Sequence, residues 1–210
     1  MEAGPFVARS PAPGRRERKK RRTHQAIADA ALTLFAQRGF QATTIQHIAD
    51  FADVAPRTIW AHFPTKEDLA FPDHAEVRDS LARRLAERPP GATAIEALRA
   101  WITDYLGDES TYELRLRRLK LIKSEPALRD HARVLMAEIE ELLAGAVAED
   151  LGESKDALAP RMVAAATIAA LDALQPPDPA DQNSHRAAIE LVDSAMAFVA
   201  GGIEALRRGR

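Results

Sequence analysis

The stretch that decides the fold is residues 22–71, which read RTHQAIADAALTLFAQRGFQATTIQHIADFADVAPRTIWAHFPTKEDLAF. From Thr23 to Arg38 the apolar residues recur at the three- and four-residue steps of an amphipathic helix. Gly39 follows directly, and glycine is the residue that most often ends a helix. The sequence therefore predicts a first helix over residues 23–38.

Two shorter helices follow within the same stretch. One opens at Thr43 or Thr44, and the next at Pro56, whose missing N–H costs nothing at the first helical position. A tight turn at Asp53 and Val54 separates them. Two short helices around such a turn predict a helix-turn-helix unit, in which the second helix enters the major groove of DNA.

The third helix is expected to have two unlike sides. Ile59 and Phe63 lie four residues apart and should pack inward. The residues expected on the opposite side are Arg57, Thr58, Ala61 and His62, with Trp60 at the edge. This side is rich in hydrogen-bond donors, as the recognition of base edges requires. The alternative is that any packed helical hairpin has a polar side and an apolar side.

Charge is unevenly distributed along the chain. The net charge is −2, yet residues 1–66 hold eleven Lys or Arg against five Asp or Glu, which leaves the remainder at −8. A basic N-terminal segment followed by an acidic remainder indicates that the N-terminal segment binds a polyanion.

A basic run, RRERKKRR, occupies residues 15–22 and follows a segment rich in proline and glycine. We expect residues 1–21 to form a disordered basic arm that contacts nucleic acid. A solvated run and an extension of the first helix are the alternatives that the run itself leaves open.

The rest of the chain is expected to be helical. Thr65 is a candidate cap for a fourth helix that Pro72 interrupts and that continues to Glu87, and Thr93 with Glu96 predicts a capping box. Further helices are expected at about 110–124, 127–151, 156–174 and 184–207. The predicted fold class is all-α, with a helix-turn-helix domain over residues 22–70 and a helical bundle over residues 71–210.

Composition excludes several kinds of site. The 210 residues include no cysteine, so disulfides, zinc–thiolate sites, iron–sulfur clusters and cysteine nucleophiles are absent. Apolar residues make up 46% and aromatic residues only 5%, which favours helices over strands. We find no signal peptide and no transmembrane stretch, so we expect a cytoplasmic protein that does not enter the membrane.

Residues 22–71 resemble the N-terminal domain of TetR-family transcriptional repressors. The resemblance is carried by AALTLFAQRGF, by TTIQHIA and by the closing T-x-W-x-H-F-P-T-K-E-D-L, almost without gaps. It implies a sequence-specific DNA-binding regulator that acts as a homodimer on a palindromic operator in double-stranded DNA and is released by an unknown small-molecule effector. The remaining 140 or so residues match this family only in their helical pattern.

The resemblance also implies roles for individual residues. Thr44, His62 and Lys66 correspond to residues that contact phosphates, and Trp60 stands where an aromatic side chain touches the DNA backbone. The positions that face base edges are Pro56, Arg57, Thr58 and Ala61.

Three positions depart from the family pattern. Asp53 replaces the turn glycine, at a cost of about 1 kcal/mol if that residue needs a positive φ. Ala55 replaces the usual serine cap and is a poor cap. Ala61 offers only a methyl group, which can touch a thymine but cannot hydrogen-bond to a base.

The family resemblance implies a ligand cavity and a dimer interface in the body. The larger side chains that could line a cavity are Trp101, Tyr105, Tyr112, Met136, Met162 and Phe198, and ordinary core packing is the alternative for each. The last two helices are expected to dimerise. Their apolar stripes, such as Val192, Met196 and Val199, could instead cover the protein's own core.

No pattern of catalytic residues or metal ligands is present in the sequence. The six histidines do not occur at metal-binding spacings, and no nucleophile elbow or nucleotide-binding glycine loop is found. We therefore expect no enzyme activity, no catalytic residues, no metal and no cofactor. A DNA-binding regulator without a ligand and a helical enzyme with a dispersed site are the two rival interpretations.

Overall fold

The computed structural model describes residues 14–208 except 108, 175, 176, 178–180 and 182. Within these residues the fold is all-α, with nine α-helices, one 3₁₀ helix and no strand. The helices are α1 (Arg15–Arg38), α2 (Ile45–Phe51), α3 (Pro56–His62), the 3₁₀ helix (Glu67–Ala70), α4 (His74–Ala86), α5 (Ala94–Leu106), α6 (Glu109–Ser124), α7 (Pro126–Leu151), α8 (Leu158–Ala173) and α9 (Ser184–Arg208). The chain divides into two compact units, one ending at Pro72 and the other beginning at Asp73.

The first unit is a small helical domain with its own core. Helix α1 packs against α2 and the 3₁₀ helix, and α2 packs against α3. The buried side chains at the centre are Ile27, Leu34, Phe35, Phe40, Ile48, Ile59, Phe63 and Leu69. Burial of each such side chain contributes about 1.5–3 kcal/mol, and this packing fixes the position of α3.

The first helix is longer than the sequence analysis predicted. It begins at Arg15, so the prediction of a disordered arm is wrong for residues 15–21, and residues 1–13 lie outside the described residues. The reason is that the basic run contains good helix formers and no glycine or proline. Extending an existing helix adds one hydrogen bond per residue and avoids the cost of a new nucleus.

The part of the predicted fourth helix that precedes Pro72 is a single 3₁₀ turn, and its predicted continuation is α4. Asp68 accepts hydrogen bonds from the backbone N–H and the hydroxyl of Thr65, at 2.8 and 2.7 Å. Pro72 lacks a backbone donor, and α4 then begins at His74.

The second unit is a bundle built around α7. This helix packs against α4, α5, α6 and α8, while α9 packs against α5 and α8. A capping box of Thr93 and Glu96 opens α5, as predicted. Among the described residues no helix combines the length and the apolar composition needed to span a lipid bilayer.

Candidate nucleic-acid interface

The turn between α2 and α3 has the backbone that its sequence predicted. Asp53 adopts a φ of 53°, the left-handed conformation that favours glycine. The N–H of Val54 donates to the carbonyl oxygen of Ala49 at 3.0 Å, which closes the turn. The Asp53 backbone is therefore strained but held by the helices on both sides.

Helix α3 presents the predicted face to solvent only in part, because Thr58 and His62 are half-buried. Ile59 and Phe63 are 0% and 2% exposed, which confirms their inward packing. Arg57 and Ala61 are exposed, and Trp60 keeps 47% of its surface accessible. Pro56 stands in the first turn, and the Ala55 cap makes no side-chain hydrogen bond, as its sequence indicated. An arginine near the N-terminus of an exposed helix can reach base edges in a major groove.

Thr44 caps the N-terminus of α2. Its hydroxyl oxygen accepts the N–H of His47 at 3.2 Å, and Nδ1 of His47 accepts the N–H of Thr44 at 3.3 Å. A hydroxyl group can accept this bond and still donate its own proton to a phosphate oxygen. The role of His47 was not predicted from the sequence, since glutamate or glutamine usually stands at this position of a capping box.

The side chain of Lys66 is engaged within the first unit. Its Nζ atom donates to the carbonyl oxygen of Phe40 at 2.6 Å and lies 4.2 Å from the centroid of the Phe40 ring. The ammonium is thus partly buried at the start of the 3₁₀ helix.

A pair of histidines joins α1 to the end of α3. The ring of His24 stacks on Phe63 with centroids 4.3 Å apart, and its centroid lies 5.7 Å from that of His62. Burial lowers the pKa of His62 below its ordinary value, and the charges of His24 and Lys20 lower it further. The sequence analysis missed His24 and Lys20. Their four-residue spacing was visible, but the partner of that face is fixed only by tertiary packing.

In the second unit, two of the six cavity candidates share a groove. The rings of Trp101 and Tyr105 stack with centroids 5.3 Å apart. They line a groove of about 410 Å³ whose other walls are Ser80, Arg83, Arg84, Glu87 and Asp104. The Trp101 indole N–H donates to the hydroxyl of Ser80 at 3.1 Å.

The structure does not gather the other four candidates in this groove. Tyr112 is buried and donates its hydroxyl to the carbonyl oxygen of Ser184 at 2.8 Å. Met136, Met162 and Phe198 lie on the surface, and Phe198 is 76% exposed.

Helices α8 and α9 each carry apolar residues on the outside of the second unit. The stripe of Val192, Met196 and Val199 is buried in the unit's own core, as the alternative interpretation held. Other apolar side chains face outward: those on α8 are Leu158, Met162, Ala165, Ala166, Ala169 and Ala173, and those on α9 are Leu191, Ala197, Phe198 and Ala200. Contiguous exposed apolar surface is typical of interaction sites.

Comparison with known protein families accounts for both units. The family described as bacterial regulatory proteins, tetR family, matches residues 27–71, which include the turn and α3. The MftR C-terminal domain matches residues 88–204, more than half of the chain. The chain belongs to the TetR family.

Two curated relatives and one solved structure show how far the likeness extends. The HTH-type transcriptional regulator TcmR of Streptomyces glaucescens is 30% identical over 161 residues, which cover 73% of this chain and 71% of TcmR. The putative mycofactocin biosynthesis regulator MftR of Mycobacterium tuberculosis is 27% identical over 148 residues, covering 70% of this chain and 75% of MftR. The SmeT–triclosan complex superposes with a TM-score of 0.60 at 19% identity, over 84% of this chain and 91% of SmeT, which shows a shared fold.

This TetR-family protein is therefore a DNA-binding transcriptional regulator. Its macromolecular partner is operator DNA, and regulators of this family bind DNA as dimers and respond to small molecules.

Proposed function

We propose that this TetR-family regulator is a repressor that binds a palindromic operator as a homodimer and leaves it when an effector binds the second unit. The observation that carries the proposal is the exposed face of α3, where Arg57 stands in the first turn and the buried Ile59 anchors the helix. Dimers of helix-turn-helix proteins place two recognition helices in successive major grooves.

Within this proposal Arg57 reads a base edge, because its guanidinium can donate two hydrogen bonds to a guanine. Pro56 and Thr58 flank it at the same edge, and Ala61 offers a methyl contact to thymine. Contacts with the phosphates and backbone of the DNA are made by Thr44, Trp60, His62 and Lys66.

The outward apolar faces of α8 and α9 support the dimer. Phe198 and Leu158 keep 76% and 74% of their surfaces accessible, and large exposed apolar side chains that cluster are typical of interfaces. A second copy that presents the same face would bury both, as twofold interfaces do. Sedimentation at micromolar concentration should give twice the 23.0 kDa of one chain, and a monomer at that concentration would contradict the dimer.

The groove at Trp101 and Tyr105 is the proposed effector site. Its aromatic stack can cover a planar apolar group, and Arg83, Arg84, Glu87 and Asp104 supply polar contacts around it. A regulator that takes no effector is the second candidate, because this groove is open to solvent. A thermal-shift screen of small molecules distinguishes the two, since a ligand of the native state raises the melting temperature.

Selection of bound duplexes from a random library, followed by footprinting on DNA flanking the protein's own gene, tests the proposed function. An enriched, protected palindrome is the expected result. The DNA of a bacterium lies in its cytoplasm, so the proposed site of action is the cytoplasm.

A further inference from the structure

The C-terminal end of α3 is contacted by a side chain from outside the helix-turn-helix. Helix α3 has seven residues, and an isolated helix of fewer than about 12 residues is marginal in water, so its position depends on packing. Phe63 closes the helix, because its N–H donates to the carbonyl oxygen of Ile59 at 2.8 Å. The ring of His24, on α1, stacks on the Phe63 ring with centroids 4.3 Å apart and planes inclined by 21°. Helix α1 thus covers the residue at which the recognition helix ends.

The His24 ring is itself held by a hydrogen bond. Its Nε2 atom lies 2.9 Å from the carbonyl oxygen of Pro72. A carbonyl oxygen can only accept, so Nε2 carries the proton and donates it. Both the neutral ring with this tautomer and the imidazolium have a proton at Nε2, so the bond persists in either charge state. Pro72 is the last residue of the first unit, and these contacts therefore lie within one unit.

The backbone that carries His24 is anchored in the core of the first unit. Ile27 and Ala31 follow His24 at three and seven residues along the same face of α1, and both are 0% exposed. Side chains in a close-packed core have little room to move. The imidazole is therefore fixed by its own helix and by Pro72, and it covers the Phe63 ring from that fixed position.

The same ring also neighbours the last residue of α3. The centroids of the His24 and His62 rings lie 5.7 Å apart. Their proximity is also felt electrostatically, since the charge of His24 contributes to the lowered pKa of His62. His24 therefore adjoins both residues at the end of the recognition helix.

We propose that His24 is a positioning residue for operator recognition, which fixes the C-terminal end of α3 by stacking on Phe63. Hydrogen bonds to base edges need donor–acceptor distances of about 2.7–3.2 Å, so a tilt of α3 would weaken them. Attraction between basic side chains and phosphates does not depend on base sequence and is less sensitive to such a tilt. Loss of the stacked ring should therefore lower affinity for the operator and spare affinity for random DNA. This inference rests on the proposed role of α3 in reading DNA.

The experiment separates the two contacts of His24 in the full chain. His24→Gln keeps a donor for the Pro72 carbonyl and removes the ring, whereas His24→Phe keeps a ring and removes the donor. Leu32→Ala is the matched control, because it removes a buried side chain from the same helix about two turns further on and leaves His24 in place. The probes are an operator duplex selected by the wild type and a random duplex of equal length. Melting temperature and circular dichroism are recorded for each variant.

His24→Gln should lose about tenfold in operator affinity, comparable to the loss of one base contact, and change random-duplex affinity less than about twofold. His24→Phe should stay within about threefold of the wild type for the operator, because the ring that covers Phe63 is restored. Leu32→Ala should lower the melting temperature and leave the ratio of the two affinities unchanged.

Three results would overturn the proposal: an unchanged ratio in His24→Gln, an equal change of ratio in Leu32→Ala, or a loss in His24→Phe as large as in His24→Gln. Arg57→Ala, measured in the same assay, distinguishes this failure from that of the proposed function. If Arg57→Ala lowers the ratio and His24→Gln does not, the inference about His24 alone is wrong. If neither variant changes the ratio, the proposed role of α3 fails as well.

Discussion

The ammonium of Lys66 donates a hydrogen bond of 2.6 Å to the carbonyl oxygen of Phe40 and lies over the ring of the same residue. A lysine that the family resemblance assigns to a DNA phosphate is thus also part of the first unit's own packing. An ammonium has three donors, so it can keep the carbonyl and still meet a phosphate oxygen. We propose that Lys66 contributes both to the packing of the first unit and to a contact with the DNA backbone.

Replacing Lys66 with alanine should weaken binding to all DNA sequences about equally. It should also lower the dependence of log K on log salt by about one per subunit, because one phosphate contact is lost. The variant should melt at a lower temperature, since the Phe40 carbonyl loses its donor. Lys66→Arg, which keeps the charge, is the control, and a changed base preference in Lys66→Ala would contradict the phosphate assignment.

Replacing Arg57 with alanine should have a different effect. Loss of a bidentate contact to guanine costs about 1–3 kcal/mol and should relax the preference at one position in each half-site. Base-by-base selection profiles of the variant and the wild type measure this. Arg117→Ala, at a 70% exposed residue of α6, is the control. If Arg57→Ala retains the wild-type profile and only binds more weakly, Arg57 contacts a phosphate.

The helical form of the basic run determines how its role is tested. Deleting residues 1–20 would remove the first turns of α1, so substitution of Arg15, Arg16, Lys19 and Lys20 by alanine is cleaner, since alanine favours the helix. The quadruple variant should bind random duplexes more weakly and show a shallower salt dependence. Circular dichroism checks that helix content is kept, and an unchanged slope would reject a role for this helix in DNA binding.

The imidazole of His62 should take up a proton when the protein binds operator DNA. In the free protein burial lowers the pKa of His62, with further lowering by His24 and Lys20, which favours the neutral ring. A nearby phosphate favours the imidazolium and raises this pKa in the complex. Affinity should therefore rise as pH falls from about 7 toward 5.5, through and below the ordinary histidine pKa of about 6.5.

His62→Gln, which cannot titrate, serves as the control for the pH experiment and should show a flatter dependence of operator affinity on pH. Titrations by fluorescence anisotropy at constant ionic strength measure both proteins. Identical pH profiles for the wild type and His62→Gln would exclude proton uptake at this ring.

Local signals in the sequence predicted most of the helices and the geometry of the turn. Gly39 and Pro56 mark conformations that few other residues favour, and both stand where they were expected. The positive φ of Asp53 followed only from the glycine that the family has at this position. The start of α1 at Arg15 was missed because a charged run without glycine or proline suits both a solvated arm and a helix. Local propensity alone could not decide between them.

Contacts between distant segments could not be predicted from the spacing of apolar residues along the sequence. The spacing of apolar residues shows that a helix has an apolar side but not which neighbour covers it. Phe198 was a candidate for lining a cavity, with core packing as the alternative, and it lies exposed on α9. The bonds of His24 to Pro72 and of Arg118 to Asp73 join residues 48 and 45 positions apart. No local pattern marks such pairs.

The most direct test of the account is the sequence that the wild-type protein selects from a random duplex library. Two recognition helices related by a twofold axis predict an inverted repeat whose half-sites are centred about 10 base pairs, or a multiple of that, apart. An inverted repeat with this spacing, bound by two chains, is the result we expect. Enrichment of a single unrepeated half-site, or of no sequence at all, would contradict a dimeric, sequence-specific regulator.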